Sequence, residues 1–307
     1  MERKLKVAMI GLGNIAQKAY LPILSRENNW ELVGVFTPNE AKSKAVSSAY
    51  RLNRLTSLRH ASQSCDAAFV HSSTASHYEV VAYLLSHGVD VYVDKPLATN
   101  VEDSERLVHL SEKHGRKLMV GFNRRFAPMY KQAKEMASEF DSVQIEKHRP
   151  TAIGPQPFSI VMLDDYLHLI DTIRWLAADE LQIIGSFTNI NIEDQLIYAR
   201  HSFQQKQQIF STAMHRHAGT DLERLEIITE GSLIRVVNMN SLEVENKQKK
   251  GIETPGSWES ILKTRGFEDC VQHFIDSVLN DTIPDVDGLE ALKSQQLVEK
   301  LIINAKR

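Results

Sequence analysis

Lys6-Val7-Ala8-Met9-Ile10-Gly11-Leu12-Gly13-Asn14-Ile15-Ala16 is the stretch whose reading decides the fold of this chain. Lys6–Ile10 is an apolar run of strand length, and an amphipathic helical pattern, Ile15–Ser25, begins just behind the two glycines. Gly11 permits a tight turn, Gly13 lets a pyrophosphate approach the backbone, and Ala16 in the third position keeps helix close to strand. The helix N-terminus, at Asn14 and Ile15, supplies amide donors and partial positive charge. Gly11, Gly13, Asn14, Ile15 and Ala16 are therefore the first candidate cofactor-binding residues. Alone the pattern is weak, since a glycine turn needs no ligand; heading an alternating strand–helix array, it is strong.

That array follows. Strands are expected at Glu31–Phe36, Ala67–Val70, Val89–Val93 and Lys117–Val120. Between them come helices from near Asn39, at His77–His87 before Gly88, and at Val101–His114 before Gly115. The alternation predicts a doubly wound parallel sheet, a Rossmann domain over residues 1–122. From residue 123 the pattern changes. Gln144–Lys147, Gln182–Thr188, Leu196–Phe203, Gln208–Ala213, Glu223–Thr229 and Ser232–Val237 read as strands joined by turns, with one helix at Val161–Leu176. A polar loop at Lys247–Trp258 and closing helices at Phe267–Leu279 and Leu289–Ala305 complete it. Residues 123–307 are thus expected to form an α+β domain with a large, mostly antiparallel open sheet.

The remaining candidates fall at strand ends and on that helix. The second strand ends in Phe36-Thr37-Pro38-Asn39, without the acid that would hydrogen-bond an adenosine ribose. Thr37 and Asn39, with Lys42 and Lys44 behind them, leave NAD and NADP both open and tilt the reading to NADP; an ordinary turn fits equally well. Asp94-Lys95-Pro96 stands at the carboxyl end of a strand, where open parallel sheets bind ligands. A lysine held there by the following proline could polarise a substrate hydroxyl. Asp164, His168, Asp171 and Trp175 are spaced to share one face of a helix otherwise rich in apolar residues. Polar groups so placed need partners or a cleft, and a cleft would make His168 a general base. Lys147-His148-Arg149 and Met214–Gly219 end two other strands, and could form a basic rim for a carboxylate or phosphate. Exposed edge residues are the competing reading.

Bulk properties narrow the class. With 307 residues, 42% hydrophobic and 24% charged, the chain suits two soluble domains, and a net charge of -3 gives no reason to expect nucleic acid. Cys65 and Cys270 lie far apart with no metal-ligand spacing, so neither a disulfide framework nor a metal is expected. The start, Met-Glu-Arg-Lys-Leu-Lys and then Val7–Ile10, is too short for a secretory segment. No stretch has the length of a membrane span, so the expected compartment is the cytoplasm.

Taken in order, these motifs resemble the Gfo/Idh/MocA family of NAD(P)-dependent dehydrogenases through nearly the whole chain. The glycine fingerprint, Ser76-His77, Asp94-Lys95-Pro96, the Gly121–Pro128 segment and Asp164…His168…Asp171 all take part. Phe69–His77 and Leu163–His168 look like its bacterial MviM branch. The resemblance implies that Ser72, Ser73, His77 and Asp94 join Lys95 at the cofactor. Lys95, Asp164 and His168 would surround the carbon that exchanges the hydride, with Asn123, Arg124, His148, Tyr166 and Asp171 on the substrate side. It implies a sugar-like substrate and a homodimer or homotetramer through the open sheet. Two departures stand out. Asp94 replaces the usual Glu, and a glycine-rich approach to the helix is replaced by Phe158–Leu163 and Tyr166, which would narrow the pocket or add a hydroxyl. That second departure keeps alive a dinucleotide-binding sensor with little turnover, although a sensor has no need of an acid–base set.

Overall fold

Five apolar runs form a parallel sheet: β1 (Leu5–Ile10), β2 (Trp30–Phe36), β3 (Ala67–Val70), β4 (Asp90–Val93) and β5 (Leu118–Val120), in the order β2-β1-β3-β4-β5. β3, β4 and β5 are buried at every residue, as a parallel sheet covered on both faces requires. The chain steps from β1 to β2 on one side and then to β3 on the other. The switch point therefore lies between the carboxyl ends of β1 and β3, the place where such sheets bind ligands. The computed structural model describes residues 4–26, 28–177 and 180–306. Met1–Arg3, part of the stretch judged too short for a secretory segment, lies outside them.

Helices Glu40–Tyr50, Thr74–Ser86 and Val101–His114 connect the strands, and capping residues fix several of their ends. Asn39 caps the first through Lys42 N at 2.9 Å. Asn100 caps the last through Asp103 N at 2.8 Å, and Gly115, with φ +59°, ends it. A short helix at Leu58–Ser64 was not expected; Ser57 caps it through His60 N.

The chain divides into two compact units, Met1–Phe122 with Phe267–Lys293, and Asn123–Gly266 with Ser294–Arg307. This corrects the expected second domain, 123–307, because 267–293 returns to the first unit. There helix Phe267–Leu279 buries Cys270, Val271, Phe274 and Ile275. The Phe274 ring meets Phe69 at 5.4 Å and Tyr92 at 5.6 Å, both edge-on, and Val120 N bonds Val286 O at 3.0 Å. An apolar helix face is satisfied wherever apolar surface is available, and position in the chain does not dictate the partner.

The second unit holds β6 (Ser142–His148), β7 (Gln182–Ile190), β8 (Leu196–Gln205), β9 (Gln208–His215), β10 (Leu222–Thr229), β11 (Ser232–Val237), β12 (Ser241–Asn246) and β13 (Lys250–Glu253). Their order is β13-β12-β11-β10-β6-β9-β8-β7, antiparallel throughout except β6 beside β9. The expected polar loop at 247–258 contains β13, whose four residues are all exposed and so show no alternation. Alternation elsewhere sorts two faces. Val143, Ile145, Lys147, Leu225 and Ile227 are buried, while Gln144, Glu146, Arg224 and Arg235 lie on the more open face. That open face carries cross-strand ion pairs, Arg224–Glu146 at 2.7 Å and Arg235–Glu226 at 2.6 Å.

Candidate active site

At the switch point of the first unit, Gly11 has φ +89°, and a Cβ there would overlap the backbone of His71 and Ser72. Gly11 N bonds Phe36 O at 2.8 Å and His71 N bonds Ile10 O at 2.7 Å, so this glycine is demanded by the fold itself. Gly13 differs. Among the described residues a Cβ there would meet His71 O alone, at an ordinary 3.7 Å, so none of their atoms requires the glycine. Behind it Asn14 and Ile15 are exposed and Ala16 is buried. Ala16–Tyr20 winds as a wide π-turn, which periodicity cannot reveal. A bare backbone loop, open to solvent at a helix start, fits a dinucleotide pyrophosphate.

The other cofactor candidates divide. Asp94 accepts Lys95 N at 2.9 Å, and both side chains are part-exposed at the end of β4. Ser72 and Ser76 bond through their hydroxyls at 2.9 Å, while Ser73 is exposed and Thr37 part-buried. One assignment is corrected. His77 is 1% exposed, and its Nδ1 donates to Pro96 O at 2.9 Å; it positions the turn after Lys95. The Asn39 Oδ1 is engaged as a helix cap. His71, which sequence reasoning passed over, stacks on Tyr20 at 3.8 Å. Burial, then neighbouring His77, brings its pKa down to about 3.

In the second unit, Met162–Tyr166 forms another π-turn, which leads into helix Leu167–Leu176. The extra residue breaks the expected single face. Asp164 is exposed, His168 is 8% exposed and Asp171 is 1% exposed. Asp171 is corrected from a substrate group to a structural one, since Arg125 binds it at 2.9 and 2.6 Å and Ser294 Oγ at 2.9 Å. Tyr166 is corrected likewise. It is fully buried, its hydroxyl 2.6 Å from both His201 Nδ1 and Thr212 Oγ1, and so it narrows nothing. Asn123 Nδ2 donates to Arg265 O at 2.8 Å, which makes Asn123 a brace for that turn.

The wide turn aims Asp165 at three cations. Lys147 pairs with it, Arg216 bonds it at 2.5 Å and Arg149 lies 3.6 Å away. Beside this group, Arg124 grips Glu223 at 2.6 and 2.7 Å, and Tyr130 donates to the same carboxylate at 3.2 Å. Burial alone would raise the Glu223 carboxyl; Arg124 overrides it and holds the pKa at about 2. The Lys147 ammonium is pulled down to about 8 by burial and then by Arg124, against the opposing carboxylates. Of the residues expected at a basic rim, Lys147, Arg149 and Arg216 come together around Asp165. His148 stands apart, on the opposite face of β6, where it accepts His215 N at 3.1 Å. Asp165 escaped the sequence reading because its partners are distant in the chain; the only signal was a second aspartate beside Asp164.

Among the described residues no cluster of His, Cys, Asp and Glu could hold a metal, and no helix is long and apolar enough to cross a membrane.

A doubly wound sheet with an open glycine loop at its switch point, followed by an open-sheet unit, is the architecture of a dinucleotide-binding protein. Residues 5–122 match the Gfo/Idh/MocA model, an oxidoreductase family with an NAD-binding Rossmann fold, and residues 128–247 match the YceM-like C-terminal domain. The chain is 42% identical over 299 residues to YceM of Salmonella typhimurium, named as an oxidoreductase, covering 97% of each. It is 25% identical over 292 residues to the inositol 2-dehydrogenase/D-chiro-inositol 3-dehydrogenase of Halalkalibacterium halodurans, covering 89% of this chain and 83% of that one. The crystal structure of a dehydrogenase (MviM) from Clostridium difficile matches with a TM-score of 0.96 at 45% identity, over 98% of this chain and 99% of that one. The chain belongs to the Gfo/Idh/MocA family of oxidoreductases and is an NAD(P)-dependent dehydrogenase.

Proposed function

We propose that this dehydrogenase moves a hydride between nicotinamide and a secondary alcohol or ketone of a sugar or polyol derivative. The observation that carries the reading is the space over Gly13, which no protein atom needs and which a dinucleotide backbone would use. A bound nicotinamide supplies hydride acceptance and donation. In the oxidation direction His168 takes the hydroxyl proton, while Lys95 and Asp164 place and polarise the oxygen. The inositol dehydrogenases among the relatives support the polyol class.

Cofactor choice follows the end of β2. The first acid after it, Glu40, is engaged by Lys44 at 2.8 Å, and Lys42 makes no ion pair among the described residues. Thr37 and Lys42 therefore favour a 2′-phosphate, hence NADP. Phe187, Ile228 and Ile209, exposed at 58%, 43% and 38%, favour a homodimer or homotetramer that covers the second unit's sheet. Free Cys65 and Cys270 fit the reducing cytoplasm.

Fluorescence titration with NADPH and NADH, on wild type and Gly13→Val, tests the cofactor reading. Saturable binding that the variant loses is expected, tighter for NADPH. Lys95→Ala and His168→Ala should each lower turnover sharply and leave cofactor affinity within a few-fold. Wild-type turnover in both would remove the acid–base assignment. Absent turnover on every sugar and polyol, with cofactor binding intact, would favour the sensor.

A further inference from the structure

A cavity of about 330 Å³ opens in the second unit where β6 ends and β10 begins, at the small end of the ~300–1,000 Å³ range of ligand sites. Four cations, Arg124, Lys147, Arg149 and Arg265, line it against two carboxylates, Asp221 and Glu223. Glu223 is already engaged by Arg124 and Tyr130. Asp221 is 66% exposed and, among the described residues, pairs with Arg149 at 3.2 Å. Asp165, behind the wall, is shared by Lys147, Arg149 and Arg216. Five cations thus face three carboxylates. Such crowding in a part-buried wall is costly unless an anion completes it. The lowered pKa of Lys147 has the same origin, since Arg124 adds to the burial cost that Asp165 and Glu223 do not offset.

Two wall groups have capacity to spare. The exposed Arg265 guanidinium makes no ion pair or hydrogen bond among the described residues, although its backbone is anchored by Asn123 Nδ2 at 2.8 Å. The next residue, Gly266, has φ +76° and leaves no room for a Cβ against Asn123 and Ala127, which fixes the turn. Asn238 Oδ1 accepts Glu223 N at 2.8 Å, which leaves its amide hydrogens as donors on the wall. A second cavity of about 420 Å³ shares Asn238 and Arg265, giving room for the rest of a ligand.

We propose that this cavity binds an oxyanion, the phosphate or carboxylate group of a sugar-derived substrate. Arg149 and Arg265 reach the anion, and Arg124 and Lys147 supply a fixed positive field beneath it. Guanidinium forks suit both oxyanions, through two parallel hydrogen bonds. Asp165 ties the cavity to the π-turn that also carries Asp164. The inference rests on the dehydrogenase reading only in calling the bound molecule a substrate.

Isothermal titration of the full chain at constant ionic strength, with glucose 6-phosphate, gluconate and neutral glucose, tests it. At least one anion should bind saturably and more tightly than glucose, and the two anions tell phosphate from carboxylate. Arg149→Ala and Arg265→Ala, both at solvent-accessible positions, should each weaken that binding about tenfold, with NADPH binding unchanged. No saturable binding of either anion, or wild-type binding in both variants, would overturn the proposal. Anion binding without any NADPH or NADH binding would remove the dehydrogenase reading and leave the anion site standing.

Discussion

Arg125 holds Asp171 through Nε–Oδ2 at 2.9 Å and Nη2–Oδ1 at 2.6 Å, with both side chains almost wholly buried. A buried pair like this has already met its desolvation cost, and removing one partner strands the other. Asp171→Ala should therefore lower unfolding stability by about 3–5 kcal/mol, read from the denaturant midpoint. Asp164→Asn, on the exposed side of the π-turn, should leave the midpoint in place and reduce turnover. A destabilised Asp164→Asn beside an unaffected Asp171→Ala would reverse the roles assigned to the two aspartates.

The two glycines of the fingerprint should separate stability from binding. Gly11→Ala forces a Cβ into the His71–Ser72 backbone at a φ of +89°, so its cost falls on folding. Gly13→Val sets its Cβ at an ordinary contact distance, 3.7 Å from His71 O, so the melting temperature should stay close to wild type while NADPH affinity drops steeply. Equal losses of stability in the two variants would mean that Gly13 is demanded by packing after all.

The return of residues 267–293 to the first unit predicts that residues 1–122 alone will not fold stably. Without Phe274, the faces of Phe69 and Tyr92 that it covers meet water, and Val120 N loses Val286 O. In the full chain Phe274→Ala should cost about 3–5 kcal/mol, with a cavity left among these rings. A sharp, cooperative unfolding transition from the isolated 1–122 fragment would contradict this.

Legibility in the sequence followed how local the physical signal was. β3 and β4 showed themselves as apolar runs, and Val101–His114 was closed by its own Gly115. β13 carries no buried residue and therefore no pattern. The two π-turns were invisible because one extra residue changes facing without changing composition. The candidate site shows the same limit. Gly11 and Gly13 were legible from a contiguous motif, whereas Asp165 acquires its role from Lys147, 18 residues away, and Arg216, 51 away. Asp171 was misread because helical spacing says which residues share a face and not which partners await them, and Tyr166 because the resemblance set it toward the substrate without showing His201 and Thr212 behind it.

The ion cluster should make stability depend on pH in two windows. Glu223 has an ordinary pKa of 4.5 and a folded value of about 2, and Asp165 is lowered in the same direction. Between those values the unfolded chain binds the proton and the folded chain does not, so stability rises with pH. It is fully present above about 5 and lost as pH falls toward 2, on the order of 3 kcal/mol for Glu223 alone. Lys147 contributes at the other end. Its folded pKa of about 8 lies below the ordinary 10.5, so the unfolded chain again binds more protons, and stability rises from pH 8 toward 10.5 as the buried cation is neutralised. Denaturant midpoints measured from pH 2 to 10.5 should show both slopes. Glu223→Gln, less stable at neutral pH because Arg124 loses its partner, should flatten the acid slope, and Lys147→Met the alkaline one. Curves that run parallel to wild type in both windows would show that neither group governs the titration of the fold.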